Sequence, residues 1–490
     1  MSRLRIFLIL LFASLSAYFG YLAYTVPDCE DVPASDSFTS LVPWGRDCIA
    51  QARKADMPIF FVLDGVKLEC SSHIRDVLKK HYIKSVLNPE AFPADYRVLQ
   101  RIFEKSGAKG APRMGILSSR GFPLYLANSI SGNPKVKNNE DTAIVGALDA
   151  YVNQRTAVNS GVKIAVKLAS LEPKLSDFPA AFTGESSLSI LENLKIVLAS
   201  GSWGDSPSVF TENCRIAARV SSVNSSVLAS EVRDMALKAL LDSSIKNLDA
   251  KRKLLTARAL SEFVFACDSS IAQKRFFEML NDLEKSVDSS GFLTFSGLAK
   301  TRENALLLSL YARAYLMGGG DYYADRMSSL SSKLSHILQE NYIYPAIILK
   351  GGKRISSEAS AVDYSLLVRA WLDCYLASGN TDYLRLTMNS LDCFDFQFSD
   401  PRSGSWFTNA RESIFAESFR YKEERDLAYP SAIGEGAQVL ADIHAMRGEI
   451  PNRLFRILSP LNSFFNFRLL DRASLKLSII ANPMLNKRVF

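Results

Sequence analysis

The chain has 490 residues, too many for one compact core, so two or three domains are expected. Hydrophobic residues make up 48% and charged residues 22%, an ordinary globular balance that excludes long disordered stretches. The net charge of +7 lies almost wholly after Pro451, where Arg453, Arg456, Arg468, Arg472, Lys476, Lys487 and Arg488 face one acid, Asp471; the near-neutral remainder excludes nucleic acid as a partner.

In chain order, Arg3 and Arg5 precede an apolar run from Ile6 to Tyr24. That run is close to the roughly 20 residues a membrane-crossing helix needs. It is read as an uncleaved membrane anchor over residues 1–26, with the body outside the cytoplasm (periplasmic or extracytoplasmic); secretion after cleavage of a signal segment is the alternative. Residues 27–40 are polar and turn-rich, a linker.

From 41 to 156 the pattern alternates. Helix 47–56 stops before Pro58, and IFFVL (59–63) reads as a buried strand. A helix over 71–82, a strand from Ile83 and a helix over 94–107 follow. A strand after Pro112 then turns at Ser119–Arg120–Gly121 into PLYLA, and a helix over 141–154 closes the segment. Helices around parallel strands, ending in a hairpin, give an α/β layered domain. After a connecting segment (157–185), residues 186–450 repeat apolar positions at helical spacing. Short Gly-bearing joins alternate with long loops, as in helical hairpins whose long loops gather on one side, a toroid. Residues 451–490 form a basic C-terminal tail, read as a last helical pair with a solvated face.

None of the seven cysteines is spaced as Cys-x-x-Cys, and the four histidines (His73, His81, His336, His444) form no ligand pattern. No metal site and no cofactor are expected.

VPWGRDCIAQARKADMPIFFVL (42–63) and GAPRMGILSSRGFPLY (110–125) resemble the spermatogenesis-associated thioredoxin-like family. GSWGDSPSVF (201–210), the stretch 361–384 and DLAYPSA (426–432) extend the resemblance. It implies a multi-domain α/β plus all-α chain: a thioredoxin-like domain followed by an (α/α)6 six-hairpin-type toroid, here cut short. It places Glu69 and Ser72 where the family has its redox cysteines, with Cys70 between them, His73 after them, and Pro112 as a cis proline facing them. Exchange needs a thiolate and a resolving thiol. With one cysteine here, the resemblance implies a degenerate redox site. The family's His-Arg-Tyr and His-Phe-Glu-Lys stretches are absent too, so the first half of the toroid mouth is expected to lack basic and acid/base groups.

Two functions stay open. One is a membrane-tethered, non-catalytic protein binding a peptide, protein or glycan of the cell envelope. The other is a saccharide-processing enzyme, glycosidase- or epimerase-like, using the toroid cavity; single-cysteine thiol work by Cys70 is a lesser variant. For the enzyme, Asp363 and Asp426 are the catalytic candidates, with Glu423 and Glu435 nearby, and Trp203, Asp205, Tyr364, Trp406 and Tyr429 are binding candidates. The plainer role for Asp363 is a cap on the helix that follows, and for Asp426 a loop-fixing contact.

Overall fold

The computed structural model describes most of residues 41–447; residues 1–40, 67–71, 129–136, 154–183, 201–205, 243–247, 344–347, 350–359, 416–419 and 448–490, and a few shorter stretches, lie outside the described residues. The chain divides into two compact units: Met1–Glu172 with Arg411–Tyr421, and Pro173–Ala410 with Lys422–Phe490.

The first unit is built on a five-stranded sheet. Its elements are β1 (Val42–Pro43), α1 (Arg46–Ala55), β2 (Ile59–Leu63), α2 (Ser72–His81), β3 (Ile83–Leu87), α3 (Pro93–Lys105), β4 (Met114–Leu117), β5 (Pro123–Ala127) and α4 (Lys137–Asn153). Strand order is β1-β3-β2-β4-β5. The pairs β1–β3 and β2–β3 are parallel (Ile59 opposite Ile83, Leu63 opposite Leu87); β2–β4 and β4–β5 are antiparallel. β2 has no polar face because both sides of the sheet are covered. Successive side chains alternate faces: Phe60 packs edge-on against Tyr82 at 6.3 Å and joins Ile74, Leu78, Ile116 and Ile144, while Phe61 meets Trp44 at 5.3 Å. Ser118 N–H donates to Phe122 O (2.8 Å), and Gly121 takes φ 79°, giving the hairpin turn expected there.

The excursion Arg411–Tyr421 belongs to this unit, whereas the sequence placed it in the helical segment. Its chemistry explains why. Ser413 Oγ and Trp44 Nε1 both donate to the buried Asp95 carboxylate, Phe415 lies 6.3 Å from Trp44, and the Arg101 guanidinium sits 4.8 Å over the Tyr421 ring.

The second unit is helical. Its helices are α5 (Gly184–Ser200), α6 (Pro207–Val223), α7 (Val227–Leu241), α8 (Ala250–Cys267), α9 (Ser270–Glu284), α10 (Thr301–Leu316), α11 (Asp321–Ser335), α12 (Ala361–Ser378), α13 (Thr381–Phe398) and α14 (Ala432–Arg447). Among the described residues, α6, α8, α10, α12 and α14 pack each on the next as an inner ring, and α5, α7, α9, α11 and α13 flank them. Arg215 Nη2 on α6 reaches Gln438 Oε1 on α14 at 3.2 Å, closing the ring. The inner helices run parallel. Arg302 and Asp363, at the starts of α10 and α12, pair with each other; Arg313 and Asp373, near their ends, also pair. This is a helical toroid with five pairs described. Two of its helices, α6 and α9, are absent from the sequence reading.

Two expectations are corrected here. No cis peptide occurs among the described residues, so Ala111–Pro112 is trans; the next residue already pairs on both sides, Arg113 N–H with Ala127 O (2.7 Å) and Arg113 O with Leu63 N–H (2.9 Å), and trans is the default isomer. The extracytoplasmic placement of a membrane-anchored body is also withdrawn. Among the described residues no helix is long and apolar enough to cross a membrane, and the run Ile6–Tyr24 on which the anchor rested lies outside them.

Candidate functional site

Because the inner helices are parallel, their N-terminal ends meet at one end of the ring. Each start is fixed by local chemistry. Asp249 caps α8 by accepting from Arg252 N (2.7 Å). Ser360 and Asp363 form a capping box on α12, in which Asp363 Oδ2 accepts from Ser360 N (3.0 Å) and Oγ (2.8 Å). Asp426 Oδ1 accepts from Ser431 N (2.8 Å), just before α14, and Ser431 Oγ accepts from Gly434 N (3.0 Å).

Around these starts lie Arg302 and Glu303 of α10, Lys251 of α8 and Tyr429 of the loop before α14. Arg302 Nε is 3.2 Å from Asp363 Oδ1. Arg302 and Lys251 sit 5.5 Å and 5.7 Å from the Tyr429 ring centre. The Tyr429 hydroxyl donates to Glu303 Oε1. Glu303 is buried, and among the described residues its Oε2 has no hydrogen-bond partner. Burial first, then the Glu303 carboxylate, push the Tyr429 phenol well above its ordinary pKa, so it stays a donor.

Deeper in the ring, five arginines (Arg215, Arg219, Arg258, Arg313, Arg369) meet five carboxylates (Glu212, Glu262, Asp373, Glu435, Asp442) in one connected, charge-balanced network. Arg258 Nη2 donates to both oxygens of Glu435 (2.8 and 2.7 Å). Glu262 takes Arg219 at 2.6 Å, Arg313 at 2.9 Å and Arg215 at 3.3 Å. Burial pushes Glu262 up, but the three guanidiniums outweigh it and hold its carboxyl well below the usual range. Burial opposes ionisation of Glu435 too, yet Arg258 and Arg215 bring it below normal; for Glu212, burial wins over Arg215 and Arg258 and the carboxyl is raised. The first half of the ring therefore does carry basic and acidic groups. Glu212, Arg215, Arg258 and Glu262 supply them within the buried network, not at the helix starts, so the expectation about the mouth is untouched by them.

The structure brings together Asp363, Tyr429 and Asp426 at the helix starts, but both aspartates spend an oxygen on a backbone amide. Tyr364 and Trp406 are buried in the core: Trp406 stacks on Phe394 at 4.8 Å and donates from Nε1 to Asp395 Oδ1 (2.7 Å), and Tyr364 stacks on Phe394 at 6.1 Å. Their ring faces meet protein. Glu423 accepts from Arg425 at 3.0 Å, and Glu435 belongs to the network. Trp203 and Asp205 lie outside the described residues, as do Glu69 and Cys70; Ser72 opens α2, and His73 is exposed on it. Pro112 is buried before β4. Sequence reasoning missed Glu303, Arg302 and, Glu435 apart, the whole network. Their signal was available: single charges inside otherwise apolar helices, as in TARALSEFVF and LLVRAWLDCYL.

No family model matches the chain. Spermatogenesis-associated protein 20 of Mus musculus is 35% identical over 86 residues, 18% of this chain and 11% of that protein. The Rattus norvegicus counterpart is 33% identical over 86 residues, with the same shares. The match thus spans 11% of the length of these curated relatives. Among solved structures, a GH76 α-mannanase of Bacteroides thetaiotaomicron superposes with TM-score 0.48 at 11% identity, covering 62% of this chain and 96% of that one. The GH76A α-1,6-mannanase of Salegentibacter sp. HEL1_6 gives 0.47 at 9% identity, covering 62% and 99%. A D-mannose isomerase gives 0.46 at 10% identity, covering 64% and 100%.

Proposed function

We propose that the helical unit binds a saccharide at the N-terminal end of its inner ring and acts on it through Glu303, and that the α/β unit is a thioredoxin-like domain without dithiol chemistry. One observation carries the first part. Glu303 is a buried carboxylate with one oxygen held by Tyr429 and the other lacking a donor among the described residues. A buried acceptor left unpaired costs about 1–3 kcal/mol, more for a charged group, and a sugar hydroxyl supplies the missing donor. With Tyr429 kept protonated, Glu303 is the group able to take a proton from such a ligand, and Tyr429 the group able to return hydrogen-bonding support. Arg302 and Lys251 bias the place toward oxygen-rich ligands. Saccharides are also the substrates named for the similar solved structures.

A second reading, a non-catalytic saccharide binder, draws on a separate observation. Asp363 and Asp426 are committed to backbone amides, and the deeper carboxylates face arginines. One experiment covers both. Purified full-length chain is screened against mono- and oligosaccharides by thermal shift, with products followed by NMR. A raised Tm with turnover, and turnover lost in Glu303→Gln while the Tm shift persists, is the expected result. A shift without product selects the binder; no shift across the panel ends both readings. For the α/β unit, the chain is expected not to reduce insulin catalytically in the presence of dithiothreitol.

A further inference from the structure

The segment just before α14 folds back on itself as a short finger. Asp426 Oδ1 accepts from Ser431 N (2.8 Å), which ties the two ends together at a neck. Inside the neck Leu427 N–H donates to Tyr429 O (3.0 Å), and the ring of Pro430 fixes one backbone angle. Leu427–Pro430 is thus braced by its own chemistry, and Ala428 at the tip is exposed. The finger lies along the N-terminal end of the ring. Its neck stands at the start of α14. Ser206, next to Pro207 at the start of α6, donates from Oγ to Leu427 O. Lys251 of α8 and Arg302 of α10 lie by the Tyr429 ring, and the Tyr429 hydroxyl reaches Glu303 of α10. Residues 426–431 therefore meet the starts of four inner helices.

We propose that this finger is the gate of the site that holds Glu303. It swings out about its neck to admit a ligand and closes again over it, with Tyr429 as the latch. What covers the carboxylate is visible: Glu303 is 3% exposed, and the Tyr429 hydroxyl sits on its Oε1. A ligand the size of a sugar reaches a carboxylate so covered only when the cover moves. The holds are of a kind that lets go. Among the described residues, Leu427–Pro430 is hydrogen-bonded to the rest of the ring through two side-chain hydroxyls, those of Ser206 and Tyr429, and not through a ladder of backbone bonds. One such bond biases an opening equilibrium by about three- to tenfold, well within the range of local loop opening. Because the finger is braced internally, it keeps its shape as it moves, and the latch returns to the same acceptor. The proposal rests on the saccharide reading for what passes the gate, not for the motion itself.

The test is carboxyl footprinting of the full chain with a water-soluble carbodiimide and glycine ethyl ester, read by mass spectrometry. In the unaltered chain Glu303 is expected to react about tenfold or more slower than the exposed Glu231. In Ser206→Ala, which lies on another helix from Glu303 and is bonded to the finger, Glu303 is expected to react about three- to tenfold faster. Tyr429→Phe keeps the ring and deletes the latch, and is expected to speed Glu303 about tenfold or more, since the lost bond was made to a carboxylate. Ser206 also caps the first turn of α6, accepting from Val209 N at 3.4 Å. Buried Glu212 on that helix, and Glu262, are therefore the controls, and both are expected to keep their rates in both variants. A Glu303 rate equal to that of Glu231 in the unaltered chain means that the finger is no cover. An unchanged Glu303 rate in Ser206→Ala means a fixed plug, and a rise shared by Glu212 and Glu262 means a loosened ring. Each of these overturns the proposal. No sugar enters the footprinting, so a saccharide screen without a hit leaves its result standing, and a failure here leaves the thermal-shift result standing.

Discussion

Glu262 has arginine nitrogens at 2.6, 2.9 and 3.3 Å, and it is buried. Removing one member of such a cluster leaves the others charged, desolvated and under-compensated. Glu262→Gln is therefore expected to lower stability by about 3–5 kcal/mol, read by urea unfolding at pH 7. Asp373 shows the same physics through pH. Burial raises its pKa, but Arg369 and Arg313 outweigh that and bring it from 3.8 to about 2. A carboxylate depressed in the folded state binds fewer protons there than in the unfolded chain, so its contribution is complete above pH 4 and is lost as pH falls toward 2. That contribution is roughly 2 kcal/mol, and Asp373→Asn is expected to flatten the loss between pH 4 and pH 2; an unchanged slope in the variant would remove Asp373 from the account. At this scale the sequence was half informative. It pointed to Asp363, Asp426 and Tyr429, and all three lie at the helix starts. It passed over Glu303, Arg313 and Asp373, because a charge within a helix is ordinarily read as a solvent-facing position, and only the closed ring turns that face inward.

Elements were legible where a short apolar run has clear ends, or where a helix has one apolar face. The strands Ile59–Leu63 and Pro123–Ala127 have the bounds their sequence pattern predicts, and the helices around them agree within a few residues. α6 was hidden for a physical reason. Its inward positions are Glu212, Arg215 and Arg219, so its apolar period is broken although the helix is almost wholly buried. α9 has no such excuse: Ala272, Phe276, Met279, Leu280 and Leu283 form a clear stripe behind the Ser269 cap. Two substitutions test what fixes the elements. Ser360→Ala deletes one arm of the α12 capping box and is expected to cost about 1 kcal/mol, seen as a lower urea midpoint. Gly436→Ala adds a Cβ that would stand 2.7 Å from the Trp406 ring and 3.2 Å from Phe394. The Trp406–Phe394 stack has no slack, so a loss of about 1–3 kcal/mol is expected from overpacking.

At the scale of the molecule, two units with separate cores imply two unfolding events. Acid separates them, because Asp95 of the α/β unit is raised while Glu262, Asp373 and Glu435 of the helical unit are depressed, Glu212 alone opposing them there. Burial lifts Asp95 in the α/β unit to about 6, against the pull of the Ser413 and Trp44 hydrogen bonds. An acid raised in the folded state takes up protons more readily than in the unfolded chain, so that unit gains stability as pH falls from 7 toward 4. In the helical unit Glu262 and Asp373 are depressed, so nothing is lost from them until the pH drops below about 4, after which stability falls. Scanning calorimetry between pH 7 and pH 3 is therefore expected to show one transition moving up and then the other moving down. Two variants assign them. Asp95→Asn keeps an acceptor for Trp44 and removes the ionisation, so the upward shift between pH 7 and pH 5 disappears; Ser360→Ala lowers only the transition that falls in acid. A single transition that shifts as a whole in both variants would mean that the two units do not unfold separately, and the division of the chain into an α/β unit and a toroid with independent stabilities would have to be given up.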